Sequence, residues 1–150
     1  MKKRTRAREL ALQFLYQLDL RGKDILPEAK GFFRSEEKDK SVRTFAAELV
    51  QGVLEHQGEI DQEISEVAMN WDISRMAVID RNVLRMATFE LRYQPDIPPK
   101  VSINEAIELG KRFSTQNSGA FINGILDKIK DRARARSAPS GDAPLPIGDS

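Results

Sequence analysis

The chain has 150 residues, 31% charged and 40% hydrophobic, with 24 basic and 23 acidic groups for a net charge of +1. This is the composition of one soluble globular domain, long enough to bury roughly 70% of its unfolded surface. With no cysteine and one histidine, His56, disulfides, thiolate zinc sites, cysteine nucleophiles and multi-histidine metal sites are excluded.

Charge is unevenly placed. Residues 1–8 hold Lys2, Lys3, Arg4, Arg6 and Arg8 and no acid, a local +5; the remaining 19 basic groups face 23 acids, a net −4. A slightly acidic body with a basic N-terminal arm points to an anionic partner at one place. A basic start can also belong to a presequence. Here Glu9, Gln13, Gln17 and Asp19 interrupt the apolar stretch and no small-x-small cleavage site follows. No uncharged apolar run approaches the ~18 residues of a membrane span, so the expected location is the cytoplasm.

The elements are helices almost throughout. Over 6–19, Ala7, Leu10, Ala11, Phe14, Leu15 and Leu18 recur at three and four and form one core stripe. Val42, Phe45, Ala46, Leu49, Val50, Val53 and Leu54 repeat the pattern over 41–54. Ile60, Ile64, Val67 and Ala68 mark another helix, and Ile79, Val83, Met86 and Ala87 mark a helix over 75–92. Ser102 and Glu105 read as a capping box before a 102–114 helix. Ile122, Ile125, Leu126 and Ile129 define the last helix. Breaks are expected at Gly22, the charged run 34–40, Gly58 and Pro95–Pro99. No segment alternates with period two, so the fold class is all-α. From Ser137 onward the chain is rich in Pro, Gly and Ser, and residues 137–150 are expected to be a disordered tail.

Catalytic signatures are missing. There is no G-x-G, no G-x-S-x-G and no H-E-x-x-H; Gly119 and Gly124 match half a phosphate loop, but Ile125 stands where its lysine is required. The acidic set Glu59, Asp61, Glu63 and Glu66 reads as a solvated helix face, and His56 as a surface histidine. Neither a metal nor a cofactor is expected, nor an enzyme. In the first helix Tyr16 lies opposite the core stripe, in line with Leu12 and Arg8. A tyrosine below an arginine can stack a base while the arginine holds a phosphate; a covering layer of helices is the other reading. In the 75–92 helix, Arg81, Arg85, Thr88 and Arg92 cluster on the outward side, whereas Glu90 falls on the core line. A buried carboxylate must be paired, and the free N–H groups opening the 102–114 helix could receive it. Gly110 lies in mid-stripe, where close approach of another helix would explain it.

Four segments together resemble the NusB family of bacterial transcription antitermination factors. They are RARELALQFLYQLD at 6–19, NWDISRMAVIDRNVLRMATFEL at 70–91, KVSINEAIELGK at 100–111 and NSGAFINGILDKI at 117–129. The likeness covers roughly residues 2–132, with the helical domain drawn at 4–134. It implies two packed three-helix bundles, about six to seven helices in all. It also implies binding of boxA, a short single-stranded element of ribosomal RNA leader transcripts, together with NusE, a small-subunit ribosomal protein. The pair would join other Nus factors on RNA polymerase, as monomer or homodimer. Carried over as RNA-facing are Lys3, Arg4, Arg6, Arg8, Tyr16, Asn117 and Phe121; Asp80 matches an acidic position of the partner-bound surface. Asn117 stands where the family usually has aspartate, and Gly110 where it usually has alanine. A helical protein-protein adaptor, or a stand-alone RNA-recognition domain like that of rRNA cytosine methyltransferases, is the alternative.

Overall fold

The computed structural model describes residues 2–69 and 71–137. Among the described residues seven α-helices follow one another: α1 Lys3–Arg21, α2 Ala29–Glu36, α3 Lys40–Glu55, α4 Gln57–Val67, α5 Val78–Tyr93, α6 Pro99–Phe113 and α7 Ser118–Ser137. Short 3-10 turns over Lys23–Glu28 and Ile73–Arg75 lead into α2 and α5. There is no strand among the described residues. The expectation of a disordered tail falls on residues 138–150, outside the described residues, and Ser137 itself ends α7.

The helices form two bundles. In the first, α1 lies along α3, with α2 closing over Phe14 through Phe32 and Phe33, whose rings stand 5.7 and 5.8 Å from it. In the second, α5, α6 and α7 pack on one another and α4 clasps α5 and α7 from outside. The bundles meet where α5 runs against α1 and α3. Gly52 makes that approach possible, because a Cβ there would fall 2.1 Å from Cζ of Phe89. Gly110 serves α6 and α7 alike, with Cδ1 of Ile122 at 2.3 Å from the place of a Cβ. The sequence-based reading of Gly110 as a close approach is what the packing contains.

Several local expectations change. The predicted 41–54 helix is α3, capped by Asp39, whose carboxylate accepts from the Ser41 N–H at 2.8 Å and its hydroxyl at 2.7 Å. Gly58 is not a break: it lies inside α4, and His56 separates the two helices. The 75–92 helix starts later, at Val78. Ser102 is not a cap either. The helix opens at Pro99, where a missing N–H costs nothing, and the Ser102 hydroxyl is spent elsewhere. α2 was missed because eight residues with one buried side chain, Phe33, show too little periodicity.

The largest change concerns α1. Its predicted stripe is buried, yet so are Arg8 and Leu12 on the other side. The helix is enclosed by α3 on one face and α5 on the other. Arg85 and Thr88 of α5, expected outward, are buried by the same packing.

Candidate nucleic-acid interface

The basic N-terminal segment is not a loose arm, since α1 begins at Lys3. Its first turn holds no acid. Cations therefore sit at the positive end of the helix dipole, an arrangement that costs stability rather than adding it. Acids from the segment joining α2 to α3, and Glu9 one turn on in α1, offset part of that cost. Lys3 Nζ lies 3.0 Å from Asp39, and Arg6 lies 3.4 Å from Glu37 and 3.3 Å from Glu9. The Ser41 hydroxyl and then the Lys3 ammonium hold the Asp39 carboxyl below the ordinary aspartate range. Arg4 places its guanidinium 4.2 Å above the Phe45 ring. Lys3 and Arg4 remain exposed and Arg6 half-buried.

Arg8 departs from the expectation of an RNA-facing residue. Its Nε and Nη2 each donate to Glu90 at 2.8 Å, and Nη1 lies 3.5 Å from Glu105. The Ser102 hydroxyl completes the group, donating to Glu90 Oε1 at 2.6 Å. Burial works to lower the Arg8 pKa, but the hydrogen bonds and charges of Glu90 and Glu105 outweigh it and the pKa is raised. Glu90 is thus paired as its core position required, by two side chains rather than by helix N–H groups. The result is a sealed joint between α1, α5 and α6.

The start of α7 forms the second part of the site. Asn117 is exposed in the turn ahead of Ser118, and its carbonyl accepts from the Phe121 N–H at 3.4 Å. Phe121 is half-buried and meets Trp71 edge to face, with centroids 5.3 Å apart. Trp71 is 48% exposed. Just ahead of it Met69 takes the left-handed region, φ 59°, and stands 82% exposed. A strained backbone that turns apolar side chains outward is the kind of feature found at binding sites. Sequence reasoning missed Trp71, although a lone tryptophan between polar neighbours at 70–72 was a usable signal. The two parts share one edge: Glu9 of α1 pairs with Arg112 at the end of α6, a few residues before Asn117.

Tyr16 and Asp80 lie elsewhere. Tyr16 is 38% exposed, ten residues and roughly 15 Å along α1 from Arg6. One turn further, Asp19 accepts from Arg81 at 2.7 Å and from Asn82 at 2.9 Å, next to Asp80 in the first turn of α5. Burial works to raise the Asp19 carboxyl, but these hydrogen bonds and the Arg85 and Arg81 charges overcome it and hold it low. Asp80 Oδ1 is buried without a hydrogen-bond partner among the described residues. The seven residues expected to face RNA therefore divide into a cationic and aromatic edge, a sealed ion pair and a separate Tyr16 edge beside Asp80.

The acidic set on α4 is not a free solvated face. Glu63 is buried and meets Arg92 at 2.6 Å, Arg136 at 3.2 Å and Arg132 at 3.6 Å, while Asp61 takes the Arg85 fork. Glu59 and Glu66 do stay exposed. His56 is half-buried, stacked on Tyr93 at 4.0 Å and 3.2 Å from Glu59. No group of acids and histidines able to hold a metal occurs among the described residues. No described helix is long and apolar enough to cross a membrane.

Two helix bundles locked by buried arginine pairs, with cations and open aromatic rings along one edge, define a compact class of all-α protein. Residues 5–131 match the model of the NusB family, and the chain belongs to that family. A relative from Desulforapulum autotrophicum named "Transcription antitermination protein NusB" is 52% identical over 130 residues, covering 85% of this chain and 90% of its own length. Among solved structures, the NusB of T. maritima superposes with a TM-score of 0.75 at 39% identity, covering 85% of this chain and 90% of that one. A structure of the antitermination factors NusB and NusE in complex with dsRNA gives 0.80 at 29% identity, covering 88% and 98%.

Proposed function

We propose that this protein is a transcription antitermination factor. It binds the single-stranded boxA element of ribosomal RNA operon transcripts together with the ribosomal protein NusE, and joins the other Nus factors on RNA polymerase in the cytoplasm. The observation that carries this reading is the start of α1, where Lys2, Lys3, Arg4 and Arg6 crowd the positive end of a helix with no acid in its first turn. Such a cost is explained when an anion is the ligand. The relatives named for transcription antitermination, and the one solved with NusE and RNA, support the same reading. In it Lys3, Arg4 and Arg6 meet phosphates, and the N–H groups at the head of α7, beside Asn117, hold a further one. Phe121 and Trp71 offer ring faces to unstacked bases. Tyr16 and Asp80, on their own edge, face the protein partner, and Arg8 takes no direct part.

Trp71 is the sole tryptophan, so its fluorescence reports on the site without a label. Titration should quench it with a boxA-like single strand more strongly than with a scrambled strand or a duplex, and NusE should tighten the binding. With up to four phosphates neutralised, log affinity should fall with log salt at a slope of about −2.8, from ~0.7 per phosphate. Equal affinity for boxA and scrambled strands, unmoved by NusE, would refute the reading and favour the adaptor alternative.

A further inference from the structure

Between α2 and the outer side of α3 runs a groove of about 730 Å3 that belongs to neither edge described above. Leu26, Ala29 and Phe33 form one wall, and Ala47, Val50 and Leu54 form the other. Leu26 is 40% exposed and Ala47 is exposed, whereas Phe33 and Val50, each 3% exposed, close the floor, so the groove is open to water at its lips. Along α3 the lining residues Arg43, Ala47, Val50 and Leu54 follow one another at four, three and four. That is the spacing by which one helix offers a seam to another. The opposite side of α3, through Phe45, Leu49 and Val53, is already spent on the core. Of this second row Val50 is already covered, whereas Ala47 stays exposed and Leu54 half-buried, so the row is only partly spent.

The rim is charged with one sign. Lys30, Arg34, Lys40 and Arg43 line the groove against one acid, Glu55, at its far end. None of the four makes an ion pair among the described residues, whereas Arg8, Arg81, Arg85 and Arg92 are all paired. Arg43 is held in place by donating to the carbonyls of Glu37 and Lys38 at 2.8 and 2.7 Å, which leaves its charge uncompensated. Nucleic acid would also answer the cations, but the floor is aliphatic and its one ring, Phe33, is 3% exposed, so no base can stack there.

We propose that this groove receives an amphipathic helix of a partner protein, its apolar edge on the Ala47–Leu54 seam and its flanking Asp and Glu side chains against Lys30, Arg34, Lys40 and Arg43. This is the helix-in-groove mode, with charge complementarity selecting the partner. The proposal stands on the groove alone and is independent of the boxA reading.

The test uses the full chain and two synthetic 15-residue helical peptides with leucine at every third and fourth position. One carries glutamate on its flanks, the other lysine. By fluorescence anisotropy the glutamate peptide should bind about tenfold more tightly at low salt, from about twofold for each of three or four exposed pairs, and the advantage should shrink as salt rises. Amide shifts should move along α2 and α3. Ala47→Glu, an exposed change to a good helix former, should abolish binding. The double variant Lys30→Glu/Arg34→Glu, on exposed positions of α2, should reverse the preference between peptides and serves if Ala47→Glu fails to fold. Equal affinity for the two peptides, shifts confined to other helices, or displacement of the peptide by single-stranded RNA would overturn the proposal. So would self-association of the chain through this face that Ala47→Glu removes, since the occupant would then be a second copy.

Discussion

Replacing Arg8 with methionine separates two readings of the basic N-terminal segment. In the structure the Arg8 and Glu90 side chains are 4% and 2% exposed and joined by two hydrogen bonds of 2.8 Å. Arg8→Met keeps the apolar stem of the side chain but leaves Glu90 buried with the Ser102 hydroxyl as its remaining partner. An unpaired buried charge of this kind costs ~3–5 kcal/mol, a large part of the ~5–15 kcal/mol that holds a domain folded. At ~2–4 °C per kcal/mol for a chain of this size, the melting temperature should fall by about 6–20 °C. Removing the second charge as well, in Arg8→Met/Glu90→Met, should restore part of the loss, because an apolar pair replaces an ion pair at little net cost. Glu105, one-quarter exposed, can turn to water in both variants. Urea unfolding followed by circular dichroism measures each step. A single variant with an unchanged urea midpoint but weaker RNA binding and a flatter salt slope would refute the argument, since Arg8 would then face phosphate rather than Glu90.

Three further outcomes follow from local geometry. Gly52→Ala drives a Cβ into the rigid Phe89 ring at 2.1–2.7 Å and should cost ~1–3 kcal/mol. Gly110→Ala should be close to neutral, because only the tip of Ile122 must turn and the helix gains ~1 kcal/mol; equal losses for the two in denaturant melts would contradict this. Asn117→Asp should leave stability nearly unchanged, as both residues cap well. It should weaken boxA binding by repelling phosphate, less so at high salt; equal affinities at low salt would remove position 117 from the interface. Asp19 has a native pKa below its unfolded value, so its contribution is complete above about pH 5 and fades as pH falls through ~4 and on through the native pKa. The stability gap between the natural chain and Asp19→Asn should therefore narrow from pH 7 to pH 3, and a constant gap would show that Asp19 is not held low.

Periodicity exposes what is apolar and conceals what is buried by pairing. The Ala7-to-Leu18 stripe was legible because six apolar residues repeat at helical spacing. The opposite side of α1 was not, because Arg8 becomes a core residue only through Glu90, 82 positions away. Glu90 itself was recognisable as buried, since it sits among apolar neighbours on one helix line. Glu63 was misread as solvated for the same reason in reverse: its arginines come from α5 and α7, 29 to 73 residues on. The fold class needed only local pattern. Of the candidate interface, the cationic residues were visible as composition, whereas the split between Arg6, Arg8 and Tyr16 depends on which helix covers which face. Trp71 meets Phe121 through the chain's path around Met69, a conformation that no local propensity favours.

The ion pair between Arg8 and Glu90 also bears on how the molecule is made. A ribosome adding ~5–20 residues per second reaches Glu90 roughly 4 to 16 s after Arg8. During that interval α1 has two faces to satisfy and a partner for only one, since α3 can cover the Phe14 side but nothing yet covers Leu12 and Arg8. The first bundle of the nascent chain therefore carries an open apolar strip and an unanswered guanidinium until α5 arrives. Assembly of the second bundle is what retires that surface, so a transcript cut short before α5 would yield a chain that chaperones hold and proteases clear.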